Sequence, residues 1–373
     1  MAETTDTASA PRTGILEWFS GTIGRFLVSL FVPIVTFIVL WQGFIFLRDS
    51  DAPKLVIVLV AIVWGVGGVA LLYVVTNWLV ERMSPMWRDM LQPFVFVGPA
   101  IAILTWYLAL PTVRTLWISL HNADSTQFVG LQNYVAVFTE RQMFIAFRNN
   151  LLWILFGATL TVVLGLLIAI LADRSRFETL AKSLIFMPMA ISMVGAGVIW
   201  NFVYEVKGVN DPQIGLLNAI WVALGGQPQA WTALLQPWNN LFLIVILIWM
   251  QTGFAMVLFS AAIKGIPGEI IEAARVDGAN EIQVFFRLII PYIMGTIITV
   301  TTTVIIFTLK IFDVVWVMTG GQFGTHVIAT QFYRQYFTNR NFGFGSAIAV
   351  VLLLAVIPVM IYNLKQFRER EVF

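Results

Sequence analysis

The chain has 373 residues, of which 59% are hydrophobic and 11% charged, with a mean hydropathy of +0.86. Soluble domains carry roughly 25% charged residues, so a fold this poor in charge cannot cover itself for water, and lipid must be its main solvent. The 22 basic and 20 acidic residues leave a net charge of +2, which gives no electrostatic footprint for nucleic acid, and zero Cys excludes disulfides, thiolate catalysis and Cys-ligated clusters.

Residues 1–20 are polar, with Glu3 and Asp6 and no apolar core. They do not read as a signal peptide, and residues 1–25 are expected to form a tail. Eight segments then have the length and apolarity that a membrane-crossing helix needs: 26–47, 55–80, 94–118, 151–172, 183–204, 241–263, 292–312 and 345–364. Many of their residues are β-branched. In lipid each segment must satisfy its own backbone hydrogen bonds, so helix is read throughout. The expected fold is an all-α polytopic membrane protein. The first two spans (26–92) are set apart from a six-helix domain over 93–366, and a short tail follows at 367–373.

Placing the N-terminus in the cytoplasm puts more of the 22 Lys and Arg on the cytoplasmic side than on the other. That bias predicts both termini inside. Gly65, Gly67 and Gly68 in the second span offer a close-packing face or lipid-facing flexibility. Pro188 with Gly195 and Gly197 marks a break in the fifth span, from packing or from a substrate path. The Trp-rich segment 215–240 reads either as interfacial anchoring or as a dock for an external protein. Spans six and seven carry intramembrane polar residues beside aromatic ones: Gln251 and Thr252 near Trp249, and a run of Thr ending at Thr308. Amides and hydroxyls beside aromatic faces suit a sugar, with hydrogen bonds to its hydroxyls and stacking on its C–H face. The same Thr residues can instead bond their own helix. Lys310 and Asp313 are spaced for an i, i+3 rim salt bridge.

Between spans six and seven lies a polar loop, 264–290, containing EAARVDGANEIQVFFRLIIP over 272–291. Its first part predicts a short helix with Pro267 near the start and Gly278 as the stop. Ile266, Ile270, Ile271, Ala274 and Val276 are expected on one apolar surface, with Glu269, Glu272 and Asp277 polar. A helix lying flat on anionic lipid would carry Lys and Arg. This one carries more acid than base, which fits a protein groove better.

The string EAA, three residues, Gly, then the closing aliphatic pair and Pro291 resembles the loop signature of permease subunits of ATP-binding-cassette importers. It matches at Glu272, Ala273, Ala274, Gly278 and Pro291. Leu288 and Ile290 exchange the two aliphatic types of the signature. FVGLQNYVAVF (128–138), KIFDVVWVMTGGQFGTHVIAT (310–330) and FGFGSAIAVVLLL (342–354) are similar to the carbohydrate-uptake branch of maltose type, and the extra N-terminal pair matches its longer, eight-span subunit. The resemblance implies a type I importer permease fold. Its loop would form a coupling helix seated in an ATPase groove, with Glu272, Ala273, Ala274, Asp277 and Gly278 as the coupling residues. It also implies sugar contacts in spans six and seven, at Gln251, Phe254, Phe307 and Thr308.

No phosphate-binding G-x-x-x-x-G-K-[ST] string occurs. ATP and Mg would therefore sit on a partner, and this chain would be a transport subunit rather than an enzyme. The implied partners are a second permease, two ATP-binding subunits, an external solute-binding protein and membrane lipid, in the inner membrane. The 320–330 loop is most similar to the α-glucoside group, which implies maltose, sucrose or trehalose, with a glucosylated compatible solute such as glucosylglycerol as the alternative. An ion-coupled carrier would need carboxylates deep in the spans, and a membrane enzyme would need a carboxylate or metal cluster at the membrane face.

Overall fold

The computed structural model describes residues 22–370, with side chains from 30 to 365. Most of the tail expected at 1–25 lies outside that range, while the last helix runs through 367–370 of the tail expected at 367–373. Every regular element among the described residues is helical. Six helices are long and apolar enough to cross a membrane, and counting two sharply bent pairs as one span each brings the number to eight.

Two compact units divide the chain, one ending at Pro111 and one beginning at Thr112. The sequence placed this division near residue 92. The difference lies in the third span, α3 (Pro85–Ile118). Its early part packs on α2 (Lys54–Glu81), with Tyr73 edge-on to Phe96 at 5.2 Å. In the first unit, α1 (Thr22–Asp49) packs on α2, and Trp64 Nε1 donates to the Leu40 carbonyl at 3.1 Å. Of the three glycines read either as a close-packing face or as lipid-facing, Gly68 packs closely, since a Cβ there would lie 3.0 Å from Leu40 Cδ2, whereas Gly65 and Gly67 face open space. Large apolar side chains cover the unit's outside, as a lipid-solvated bundle requires.

The second unit is built around α9 (Trp238–Lys264). Of its apolar window 56% is buried, against 6% or less for α1–α3. Around it stand α5 (Arg141–Asp173), the bent pair α6 (Glu178–Ala190) and α7 (Met193–Val203), and the bent pair α11 (Glu281–Tyr292) and α12 (Met294–Leu309); α15 (Phe342–Arg370) packs on α12. The short helices α4 (Gln132–Thr139), α8 (Leu216–Ala223), α10 (Gly268–Val276), α13 (Asp313–Thr319) and α14 (Ile328–Tyr333) lie in the connections.

The α5–α9 crossing is close because Gly165 has no side chain. A Cβ there would stand 2.5 Å from the Ala255 Cβ, and in lipid such close approach is a main source of helix association. The expected fifth span is not one straight helix. It bends by 104° between α6 and α7, just after Pro188. The seventh bends by 69° beyond Pro291. Proline removes a backbone donor and crowds the preceding turn, so both bends have a local cause.

Buried asparagines tie the end of this unit opposite α10. Asn149 is fully buried and donates to the carbonyls of Gly324 and His326 at 2.7 and 2.8 Å. Asn150 donates to the Leu309 carbonyl at 3.2 Å and accepts from the Ile328 N–H at 2.8 Å. Asn239 donates to the Phe323 carbonyl at 2.8 Å. In lipid such irregular backbone is tolerated only when protein groups satisfy it.

Candidate functional site: the coupling loop

Residues 264–290 form a helix, a turn and a second helix at one end of the second unit. Pro267 caps the start of α10, where its missing N–H costs nothing. Glu269 lies in the first turn and Arg275 in the last, so both charges oppose the helix dipole. The helix then ends in a Schellman turn. Gly278 has φ +85°, its N–H bonds the Arg275 carbonyl at 3.0 Å, and the Ala279 N–H bonds the Ala274 carbonyl at 3.0 Å. Asn280 starts α11 with a capping box: its side chain accepts from the Gln283 N–H at 2.9 Å, and Gln283 Oε1 accepts from the Asn280 N–H at 2.9 Å. Both helix ends thus satisfy their free backbone groups within the loop.

The inner face of α10 is narrower than the sequence implied. Ile266, Ile271 and Ala274 pack with Val284, Ile289 and Ile293 in one apolar cluster. Ile270 and Val276, expected beside them, point outward, and Val276 is 86% exposed. On the helix, 271 and 274 are an i, i+3 pair on one side and 273 and 276 an i, i+3 pair on the other, with 270 at the edge between them, while Ile266 joins the cluster from just before the helix. Glu272, Ala273, Asp277 and Gly278 are exposed, and Ala274 is half-buried against the chain's own core. The outward face is therefore small and apolar at Ala273 and Val276, with acids at Glu269 and Glu272.

Ionic contacts hold this loop to the neighbouring helices. Glu281 bridges Arg174, beyond the end of α5, at 2.7 Å, and Arg275 of α10 at 2.9 Å. Lys264 pairs with Glu178. Lys182 joins Asp173, Glu178 and Ser260, linking α5, α6 and α9. The exposed pairs contribute little singly. Their placement fixes where the loop sits relative to three spans.

The four expected sugar contacts lie on two spans, α9 and α12, and differ in exposure. Gln251 and Phe254 lie three residues apart on α9, so they share a side; Gln251 is 8% exposed and Phe254 half-buried. Phe307 is 44% exposed on α12. Thr308 is fully buried, and its hydroxyl donates to the Val304 carbonyl of its own helix at 2.7 Å. Ser and Thr side chains in helices often bond the i−4 carbonyl in this way, and here the bond uses the one proton that the Thr308 hydroxyl can donate. The Lys310–Asp313 salt bridge is absent among the described ion pairs, because α12 stops at Leu309 and α13 restarts at Asp313, which breaks the i, i+3 geometry.

Residues 161–370 match the family described as binding-protein-dependent transport system inner membrane component. The chain belongs to this family. The permease is 52% identical over 277 residues to the osmoprotective compounds uptake permease protein GgtC of Synechocystis sp., covering 74% of this chain and 99% of that one. It is 50% identical over 276 residues to the alpha-glucoside transport system permease protein AglF of Rhizobium meliloti, covering 74% of this chain and 82% of that one. Its fold resembles a chain of a bacterial alginate ABC transporter solved with an alginate pentasaccharide-bound periplasmic protein. The TM-score is 0.64 at 20% identity, covering 75% of this chain and 96% of that one. It is thus a multi-pass membrane permease of an ATP-binding-cassette importer, a transport component working with a solute-binding protein and further subunits.

Proposed function

We propose that this permease passes an α-glucoside-type solute from an external binding protein across the membrane by alternating access, driven by ATP hydrolysis on partner subunits. The observation that carries the coupling half of this reading is α10. It is a short helix, locked at its far end by a Schellman turn and a capping box, with Ala273 and Glu272 directed outward. A small residue permits close approach by a partner. An exposed carboxylate beside it accepts charge-assisted hydrogen bonds from a basic groove. Glu272, Ala273 and Asp277 would make the contact, while Ala274 and Gly278 hold the helix in position.

The complex would contain this chain, a second permease and two ATP-binding subunits, with ATP and Mg on the latter. Both termini and α10 would lie in the cytoplasm, in line with the Lys and Arg bias. The names of the two relatives point to α-glucosides and to osmoprotective compounds. Maltose, sucrose and trehalose serve the first description, and a glucosylated compatible solute such as glucosylglycerol serves both. Gln251, Phe254, Phe307 and Thr308 are the intramembrane residues proposed to meet such a solute.

The test is uptake of radiolabelled maltose, and separately of glucosylglycerol, into proteoliposomes holding the whole complex, with binding protein outside and ATP inside. Uptake that needs ATP and binding protein, and that Glu272→Ala with Gly278→Pro abolishes while assembly survives, supports the proposal. Uptake by the double variant at the wild-type rate would remove the loop from the coupling role.

A further inference from the structure

At the end of the second unit opposite α10, a cavity of about 440 Å³ opens between the start of α5 and the α13–α14 connection. Its size falls within the ~300–1,000 Å³ range of small-molecule pockets. The loop forming one wall is held in a fixed shape. Gly320, Gly321 and Gly324 have φ of +60°, +80° and +71°, and Phe323 has φ +57°. A Cβ on Gly321 would lie 2.1 Å from His326 Nδ1, so only glycine lets the loop close over this ring. Asn149, Gln236 and Asn239 take up the loop's carbonyls. The cup is thus preformed rather than assembled around a ligand.

Its lining is polar and uneven in what it offers. Gln331 is 1% exposed, and its Oε1 has no hydrogen-bond partner. Its amide nitrogen only reaches Gln142 Oε1 at 3.4 Å. Arg334 Nη1 lies 3.3 Å from His326 Nε2, and no carboxylate lines the cavity. Guanidinium can only donate, so His326 Nε2 accepts, and Nδ1–H donates to Thr330 Oγ1 at 3.1 Å. Burial, reinforced by Arg334, pushes His326 down to about 4, so the ring is neutral at physiological pH. Trp316 adds an aromatic wall, itself stacked on Phe312 at 5.6 Å.

We propose that this cavity is a vestibular subsite for a polyhydroxylated solute, which it holds before the solute reaches the membrane-embedded path. Gln331 Oε1 calls for a donor, and the free guanidinium edge of Arg334 calls for an acceptor. A carboxylate or phosphate satisfies only the second. A hydroxyl does either, and a sugar ring brings several, along with a C–H face for Trp316. The inference rests on the sugar-import reading above and adds a site to it, separate from the span residues Gln251 and Phe254.

Saturation-transfer NMR tests the subsite on the detergent-solubilised complex of this chain with its permease and ATPase partners, without binding protein. Maltose is the probe, and glycine betaine, which lacks hydroxyls, is the control. The wild-type complex is expected to transfer saturation to maltose and not to betaine. Thr338→Trp fills the rim from an exposed position that lines the cavity. It is expected to cut the maltose signal at least five-fold with basal ATP hydrolysis unchanged, and Gln331→Leu is expected to cut the maltose signal by a similar factor. No wild-type signal, a betaine signal equal to that of maltose, or a full signal in Thr338→Trp would overturn the subsite. ATP-driven uptake is measured in parallel. Intact uptake without an NMR signal removes the subsite and leaves the import reading standing, whereas an NMR signal without uptake removes the import reading alone.

Discussion

Replacing Gly278 with Ala isolates the geometry of the coupling loop from its chemistry. Gly278 sits at φ +85°, and a Cβ there would meet nothing within 4 Å. The substitution therefore causes no clash with other residues. Its cost is the left-handed backbone alone, ~1–2 kcal/mol for an ordinary L residue. The Schellman bonds from Gly278 and Ala279 to Arg275 and Ala274 depend on that conformation. So does the apolar contact of Ala279 and Ala274. Because 1.4 kcal/mol is a factor of ten in an equilibrium, the turn should open roughly 5–30 times more often. Hydrogen exchange read by mass spectrometry over 268–284 should speed up by that factor, while the spans keep their protection. Binding-protein-stimulated ATP hydrolysis should fall, with basal hydrolysis unchanged. Gly278→Asn, which tolerates the left-handed region better, should fall between Ala and wild type. Unchanged exchange and stimulation in Gly278→Ala, or an Asn variant worse than the Ala variant, would refute this reasoning.

Two further outcomes follow from the opposite end of the permease. His326 is held neutral by burial and by Arg334, with its folded value near 4 against about 6.5 unfolded. The folded state therefore binds fewer protons, and its stability is fully present above about pH 6.5 and declines as pH falls toward 4. Thermal unfolding of the purified complex should be flat from pH 8 to 7 and drop below pH 6, and His326→Gln should flatten the drop. Asn149→Ala leaves the His326 carbonyl without its donor, while the Gly324 carbonyl keeps Gln236. It should cost about 1–3 kcal/mol, the penalty for one buried acceptor, and appear as a lowered melting temperature with poor recovery of the complex.

The apolar runs made the spans legible because lipid imposes one rule, about 20 apolar residues in a self-satisfied helix. The loop helix was legible too. Pro267, Glu269, Gly278 and Asn280 are punctuation whose meaning is local. What the sequence hid depended on partners far away in the chain. Val276 reads as apolar and therefore inward, yet the cluster beneath α10 has room only for Ile266, Ile271 and Ala274. Thr308 reads either as a solute contact or as bonded to its own helix, and nothing in the sequence alone says that its hydroxyl donates to the Val304 carbonyl. The third span reads as the first of six, yet its early part packs on α2. The vestibular cavity left only faint marks, namely the left-handed glycines of 320–324 and the Asn149–Asn150 and Asn239–Asn240 pairs beside apolar runs. A polar pair at the edge of a span could have been read as an anchor for the irregular backbone nearby.

The most direct measurement of the central claim uses the absence of Cys from this chain. Ala273→Cys places a single thiol on the outward face of α10, at an exposed position. Paired with single cysteines along the groove of the ATPase subunit, it should cross-link in the assembled complex at one groove position, and the yield should change between ATP-bound and nucleotide-free states. Ala274→Cys, turned toward the chain's own core, should cross-link far less. Equal yields from the two positions, or no cross-link from Ala273→Cys in a complex that still hydrolyses ATP in response to loaded binding protein, would contradict the assignment of α10 as the element that transmits ATP hydrolysis to the permease.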